Sequence, residues 1–150
     1  MQQFLGEFEC KVDAKGRLKL PSVLIRQLEG EQHAFVVNRG FEKCMVLYPK
    51  KVWDKISGEI NQLNMYVKKN RDFARYFYRG ATELALDSSE RVNLPKRLLQ
   101  YAGVEKELIV FAYYNRIELW AKDEYDQLLE DEPTDCADLA EDVMGGLEQE

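Results

Sequence analysis

The stretch GEFECKVDAKGRLKLP at residues 6–21 recurs without a gap as GATELALDSSERVNLP at residues 80–95. Residue 6 thus aligns with residue 80, an offset of 74, and six residue types recur in place: glycine, glutamate, aspartate, arginine, leucine and proline. A gapless internal repeat of this kind predicts two copies of one structural unit within the chain.

The similarity continues beyond the two quoted stretches. Leu24 matches Leu98 at the same offset. After a shortening of two residues, the matching pairs are Leu47-Tyr48 with Leu119-Trp120 and Trp53-Asp54 with Tyr125-Asp126. We therefore divide the chain into a first repeat at residues 7–54, a helical linker at 55–80, a second repeat at 81–127 and an acidic, flexible tail at 128–150.

Both repeats show the same predicted order of elements. An alternating strand leads into a tight turn and a short second strand, and a helix follows, with Pro21 or Pro95 suited to its first position. Two further strands are predicted at residues 34–38 and 44–48, and again at 108–114 and 116–120. A final helix begins near Lys50 and near Lys122. Because one such unit cannot bury its apolar faces alone, two copies are predicted to close one shared β-barrel.

The charge is distributed unevenly along the chain. The 150 residues are 45% hydrophobic and 32% charged, which is typical of a globular protein, and the net charge is −6. Residues 121–150 contain twelve acidic residues and one lysine, whereas residues 1–120 contain fifteen acidic and twenty basic residues. The body is therefore basic and the tail acidic, which permits nucleic-acid binding by the body.

Several functional classes lack support in the sequence. No apolar run is long enough to span a membrane, and the start MQQFLGEFEC lacks the features of a signal peptide, so a cytoplasmic location is expected. Cys10, Cys44 and Cys136 show no CxxC spacing, and His33 is the one histidine. We predict no disulfide, metal site, cofactor or nucleophilic catalytic group.

The linker carries a basic segment, KKNRDFARYFYRG at residues 68–80. Basic residues alternating with aromatic ones could form a nucleic-acid surface. Phe73 and Phe77, however, are four residues apart, which favours an amphipathic helix that packs on the body of the protein.

With both turns in view, the chain resembles the MraZ family, double-repeat relatives of the SpoVT–AbrB transition-state regulators. The matching stretches, from about residue 5 to about residue 128, are GEFECKVDAKGRLKLP, LYPKKVW, RYFYRGATELALDSSERVNLPKRLLQYAG and NRIELW. A single DxxxR is only weak evidence of this resemblance. Two DxxxRxxLP segments, each after a Gly-x-x-Glu strand, are strong evidence of it.

The resemblance implies an α+β, β-rich fold: a swapped-hairpin, AbrB-like β-barrel with short helices and a pseudo-two-fold axis within one chain. It also implies a ring-shaped homo-oligomer that binds double-stranded DNA at short direct repeats upstream of the division and cell-wall gene cluster. Members of the family regulate transcription of that cluster and associate with the nucleoid. The resemblance implies no enzyme activity, no membrane partner and no small-molecule substrate.

The first turn, DAKGR, has the chemistry of a DNA-reading loop. Gly16 can supply a positive φ, and Asp13 can accept hydrogen bonds from the turn or hold the Arg17 guanidinium. A restrained Arg17 is suited to guanine O6 and N7 in the major groove. Phosphate contacts are assigned to Lys11, Lys15 and Lys19. The alternative is a surface ion pair across a turn, which contributes little to stability.

The second turn, DSSER, departs from this pattern. It has no glycine and no lysine, and Glu90 precedes Arg91. A carboxylate beside phosphates is unfavourable, so Arg91 ranks second to Arg17 as a DNA contact. The alternative role for Asp87 and Arg91 is to brace the barrel, with positive charge supplied by Lys96 and Arg97.

The sequence leaves two other functional classes open to comparison with a DNA-binding regulator: a scaffold and an enzyme. A ring-shaped scaffold that has lost DNA binding is favoured by the acidic tail and by Glu90. An enzyme with Asp13 and Asp87 as paired carboxylates is disfavoured, because each has an arginine four residues away that keeps it ionised.

Overall fold

The structure, a computed structural model, describes residues 3–28, 33–132 and 135–148. Residues 133, 134, 149 and 150 of the predicted tail lie outside these ranges. In the first half of the chain are β1 (Phe4–Lys11), β2 (Arg17–Lys19), α1 (Ser22–Gln27), β3 (Ala34–Arg39), β4 (Met45–Pro49) and α2 (Lys50–Ile60), which crosses the predicted boundary between the first repeat and the linker. The linker also contains α3 (Lys68–Tyr78). The second half contains β5 (Thr82–Ala85), β6 (Arg91–Asn93), α4 (Lys96–Ala102), β7 (Glu107–Tyr114), β8 (Arg116–Ala121) and α5 (Lys122–Glu130), which extends past the predicted end of the second repeat, and α6 (Cys136–Glu148) follows.

The repeats exchange strands. Six strands form one antiparallel sheet in the order β1-β7-β8-β4-β3-β5, and β2 pairs with β6 in a separate two-stranded ribbon. The first strand of each repeat therefore pairs with the β-hairpin of the other repeat: β1 with β7, and β5 with β3. This order is unchanged when the two repeats are interchanged, as a pseudo-two-fold axis requires. The predicted two-repeat, swapped-hairpin α+β fold is confirmed.

One hydrophobic core joins the two repeats. Its fully buried side chains include Leu18 and Val92, which lie opposite each other at the centre of the ribbon. Further members come from both halves: Leu20, Leu24, Phe35, Leu47, Leu94, Leu98, Leu108, Ile117 and Leu119. Because strand side chains alternate, the neighbours of Leu18 and Val92 face outward. The ribbon thus turns one apolar side toward the core and one charged side toward solvent.

The repeated prolines lie immediately before helices. Pro21 and Pro95 are the N-cap residues of α1 and α4, one position earlier than predicted, and neither location requires a backbone N–H donor. Gly103 ends α4 with a left-handed φ of 73°, a conformation that glycine adopts without a steric cost.

The linker helix packs on the sheet, as predicted for an amphipathic helix. Phe77 is buried and stacks on Trp53 with ring centroids 5.4 Å apart. The buried Asn38 amide donates a hydrogen bond of 2.7 Å to the Phe77 carbonyl oxygen. Phe73 lies at the margin of this contact and remains 40% exposed.

Helix α6 was not predicted from the sequence. It lies within the segment assigned to the acidic tail, and Leu139, Val143 and Met144 on it are exposed. Among the described residues, no helix has the length and apolar character needed to cross a membrane.

Candidate nucleic-acid interface

The first turn is closed by Asp13. Its Oδ1 accepts hydrogen bonds of 2.9 Å from the backbone N–H groups of Lys15 and Arg17. Its Oδ2 accepts one of 2.7 Å from Nε of Arg17. Both possible roles of Asp13, bonding to the turn backbone and holding the arginine, are therefore realised together.

The second turn has the same geometry with different residues. Asp87 Oδ1 accepts hydrogen bonds from the N–H groups of Ser89 and Arg91, at 2.8 and 2.9 Å. Asp87 Oδ2 accepts one of 2.9 Å from Nε of Arg91. The absence of a glycine and a lysine from DSSER thus does not alter the hydrogen bonding of the turn.

The residue before each arginine has a left-handed backbone. Gly16 has a φ of 81°, and Glu90, at the equivalent position, has a φ of 62°. Each carbonyl oxygen accepts a hydrogen bond from the other repeat: Gly16 from Leu94 N–H at 2.9 Å, and Glu90 from Leu20 N–H at 3.1 Å. A Cβ on Gly16 would also lie 3.0 Å from the Leu94 carbonyl oxygen.

The two turns meet across the ribbon. Arg17 pairs with Asn93 and Lys19 with Arg91 in the antiparallel register. Nη1 of Arg91 lies 4.0 Å from Oδ2 of Asp13, the carboxylate that holds Arg17. The two turns that the sequence separates by 74 residues are thus parts of one surface.

Both turn carboxylates favour the ionised form. The N–H of Arg17 contributes most to lowering the pKa of Asp13, with further hydrogen bonds from the Arg17 side chain and Lys15. The N–H of Arg91 likewise lowers the pKa of Asp87. Since these two pKa values are lower in the folded than in the unfolded state, the ionised aspartates stabilise the fold at neutral pH. This stabilisation is lost as the pH falls through the folded-state pKa values. These groups are hydrogen-bond acceptors within the turns.

Each arginine is held at Nε by its own aspartate, and Arg17 is open at both terminal nitrogens, whereas Nη1 of Arg91 also lies near Asp13. Arg17 and Arg91 each have side chains that are 32% exposed. Within the described parts of the chain, Nη1 and Nη2 of Arg17 have no hydrogen-bond partner. An arginine fixed through Nε and open at its two terminal nitrogens is suited to a bidentate contact with an acceptor pair.

The lysines assigned to phosphate lie in different places. Lys15 and Lys19 are exposed beside the arginines, whereas Lys11 is at the end of β1, opposite Glu107. Lys15 also lines an open cleft of about 430 Å³ with Asn93 and Lys96. The exposed Arg97 lies one residue further along α4.

Asn93 is a further candidate contact that was not predicted from the sequence. Asn93 is exposed on the outer side of the ribbon, directly opposite Arg17. Its amide is suited to adenine N6 and N7, as the arginine is to guanine. The alternation Arg91, Val92, Asn93 places Asn93 on the face of Arg91, but only the pairing of β2 with β6 brings it to Arg17.

The backbone at Glu90 gives a testable prediction. We expect Glu90→Gly to raise the free energy of unfolding by about 0.5–1 kcal/mol, because a left-handed conformation costs a residue with a Cβ roughly 1–2 kcal/mol. The greater freedom of glycine in the unfolded chain offsets part of this gain. Urea denaturation of the variant and the wild type measures the difference.

Ser89→Gly is the matched control, because the φ of Ser89 is negative. It should lower the unfolding free energy by about 0.5–1 kcal/mol. Equal changes in both variants would show that the backbone at Glu90 is not strained.

Comparison with known proteins identifies relatives over nearly the whole chain. The family model described as "MraZ protein, putative antitoxin-like" matches residues 3–76 and 77–143, and its two starting points have the same offset as the quoted repeat. "Transcriptional regulator MraZ" of Christiangramia forsetii is 46% identical over 147 residues, which are 97% of this chain and 95% of that protein.

Two further relatives carry the same name. The Flavobacterium psychrophilum protein is 44% identical over 149 residues, which are 98% of this chain and 95% of its own. The Cytophaga hutchinsonii protein is 38% identical over 148 residues, 98% of each chain.

Proposed function

This chain belongs to the MraZ family, and we propose that it is a sequence-specific, DNA-binding regulator of transcription. The names of the relatives support regulation of transcription. The observation that carries the proposal of DNA binding is the ribbon, which presents Arg17 and Arg91 side by side, each oriented by its own aspartate.

In the proposed complex, the ribbon formed by β2 and β6 lies in the major groove of the DNA. The major groove admits a two-stranded β-ribbon, and side chains on its outer face then reach base edges. Arg17 contacts a guanine through its terminal nitrogens, while Lys15 and Lys19 contact flanking phosphates. Arg91 makes the weaker contact, because Glu90 adds a negative charge beside the DNA.

We further propose that several copies act together on short direct repeats upstream of the division and cell-wall gene cluster. One ribbon reads few base pairs, and a ring-shaped homo-oligomer would raise affinity by engaging several repeats at once. A group of exposed apolar side chains on α3 and just before it supports subunit contacts: Met65, Tyr66, Val67, Phe73 and Tyr76. Association with the nucleoid would follow from this binding.

A second candidate function is a ring-shaped scaffold without DNA binding. Exposed Glu90 within the ribbon surface and the acidic α6, with its exposed apolar side chains, favour a protein partner. The basic body and the two restrained arginines favour DNA, and we rank that function first.

A titration distinguishes the two functions. The full-length protein is mixed with promoter DNA from upstream of its own gene, or with random DNA of equal length, over a series of salt concentrations. A regulator should prefer the promoter. The logarithm of its binding constant should also fall linearly with the logarithm of the salt concentration, with a slope of about −0.9 per phosphate contacted. No binding to either DNA at low salt would favour the scaffold.

A further inference from the structure

Three arginines from separate parts of the chain surround one pocket outside the ribbon. The pocket has a volume of about 280 Å³. Arg39 comes from the end of β3, Arg79 from the residue after α3, and Arg97 from α4. The other lining residues are Gly80, Thr82, Pro95, Leu98 and Tyr101, and no described aspartate or glutamate is among them.

Arg39 is fixed in place by neutral groups. Its Nε donates to the Arg79 carbonyl oxygen at 2.9 Å, and its Nη2 donates to the Tyr76 carbonyl oxygen at 2.7 Å. Its guanidinium carbon lies 4.7 Å from the ring centroid of Tyr76 and 5.6 Å from that of Tyr101. The positive charge is therefore oriented, but none of the described carboxylates neutralises it.

Arg79 and Arg97 add to this charge. Both are exposed, and within residues 3–28, 33–132 and 135–148 neither forms an ion pair with a carboxylate. Like charges at one pocket repel one another, and an anion bound between them removes that repulsion. Arginine is also the side chain whose planar donors best match phosphate oxygens.

The equivalent surface of the other half shows that the fold does not require these arginines. Gly6 is equivalent to Gly80 and pairs with Ala112. In the half that carries the pocket, the side chain of Arg39 lies against Gly80, with its Cγ 3.4 Å from the position that a Cβ on Gly80 would occupy. Ala112 therefore takes the place of Arg39. At the offset of 74, Leu5 and Val23 take the places of Arg79 and Arg97. The positive cluster is a property of one half only.

We propose that this pocket binds a phosphoryl group. Pro95 lines both this pocket and the cleft that contains Lys15, Asn93 and Lys96. A phosphate of bound DNA could therefore reach it, and so could a free phosphorylated molecule. The chemistry recognised is the same in both cases, and the site is independent of base contacts by Arg17.

The test uses the full-length double variant Arg79→Leu/Arg97→Val, which carries the residues found at the equivalent positions of the other half. Inorganic pyrophosphate is titrated by calorimetry. We expect its affinity to fall at least about tenfold in the variant, because two arginines that can donate charge-assisted hydrogen bonds to the anion are removed. Lys51→Leu/Lys55→Val removes two exposed charges from α2 and should leave the affinity within about twofold.

Random DNA identifies the source of the phosphate. If the pocket holds a DNA phosphate, the slope of the logarithm of the binding constant for random DNA against the logarithm of the salt concentration should become shallower by about 0.9 in the double variant. Loss of pyrophosphate binding with an unchanged slope would assign the pocket to a free phosphorylated molecule. Thermal melting confirms folding, and Arg97→Ala alone provides a second variant with a single exposed substitution.

The proposal is overturned if both the pyrophosphate affinity and the salt slope are the same in the double variant, in Arg97→Ala and in the wild type. It is also overturned if the control on α2 loses as much as the pocket variant. Either result leaves the proposed function intact, because preference for promoter over random DNA is measured separately and depends on Arg17.

Discussion

Arg17→Ala should abolish the preference for promoter DNA while leaving the protein folded and its subunit number unchanged. Asp13 fixes Nε of Arg17 and leaves two terminal nitrogens for a base. One bidentate contact with guanine provides about 1–3 kcal/mol of discrimination, and an oligomer loses that amount at every subunit engaged. Competition titration with random DNA measures the preference, and light scattering measures the assembly.

Two variants make this prediction specific. Arg26→Ala removes an exposed arginine from α1 and should leave the preference unchanged. Arg91→Ala should weaken binding less than Arg17→Ala, because Glu90 already disfavours DNA at the second turn. Normal promoter affinity in folded Arg17→Ala protein would refute the role of Arg17, and equal losses at the two arginines would refute the proposed asymmetry.

Leu18→Ala should lower the free energy of unfolding by about 2–5 kcal/mol. The Leu18 side chain is fully buried and faces Val92 at the centre of the ribbon, where the two repeats meet. Truncation leaves a cavity beneath the strands that carry both arginines, so affinity for promoter DNA should fall as well. Chemical denaturation monitored by tryptophan fluorescence measures the stability.

Leu5→Ala is the matched control, because Leu5 is 76% exposed on β1. Its effect should stay within about 0.5 kcal/mol. If both substitutions had similarly small effects, the core shared by the repeats would not depend on the ribbon.

The local elements were predictable because their signals lie close together in the sequence. The repeat, the two DxxxR turns and the helices that begin at Lys50 and Lys122 follow from spacing and residue type. The exchange of strands has no local signal, and it was inferred from the family resemblance. The pairing of β1 with β7 and of β5 with β3 confirms it.

What the sequence did not predict depends on distant residues or on the backbone. Asn93 faces Arg17 only because β2 and β6 pair. Glu90 takes a left-handed φ, for which glutamate gives no indication, because both repeats close the turn with the same hydrogen bonds. The arginine pocket brings together residues from β3, the linker and α4, which no spacing rule connects.

Methylation interference on the promoter upstream of the protein's own gene tests the central claim most directly. Dimethyl sulfate methylates guanine N7, the acceptor in the major groove that Arg17 is proposed to contact. For the wild-type protein, methylation of guanines within short direct repeats should block binding, and in Arg17→Ala protein the same guanines should no longer matter. Interference at no guanine, or an unchanged pattern in folded Arg17→Ala protein, would contradict base recognition by the DxxxR turn.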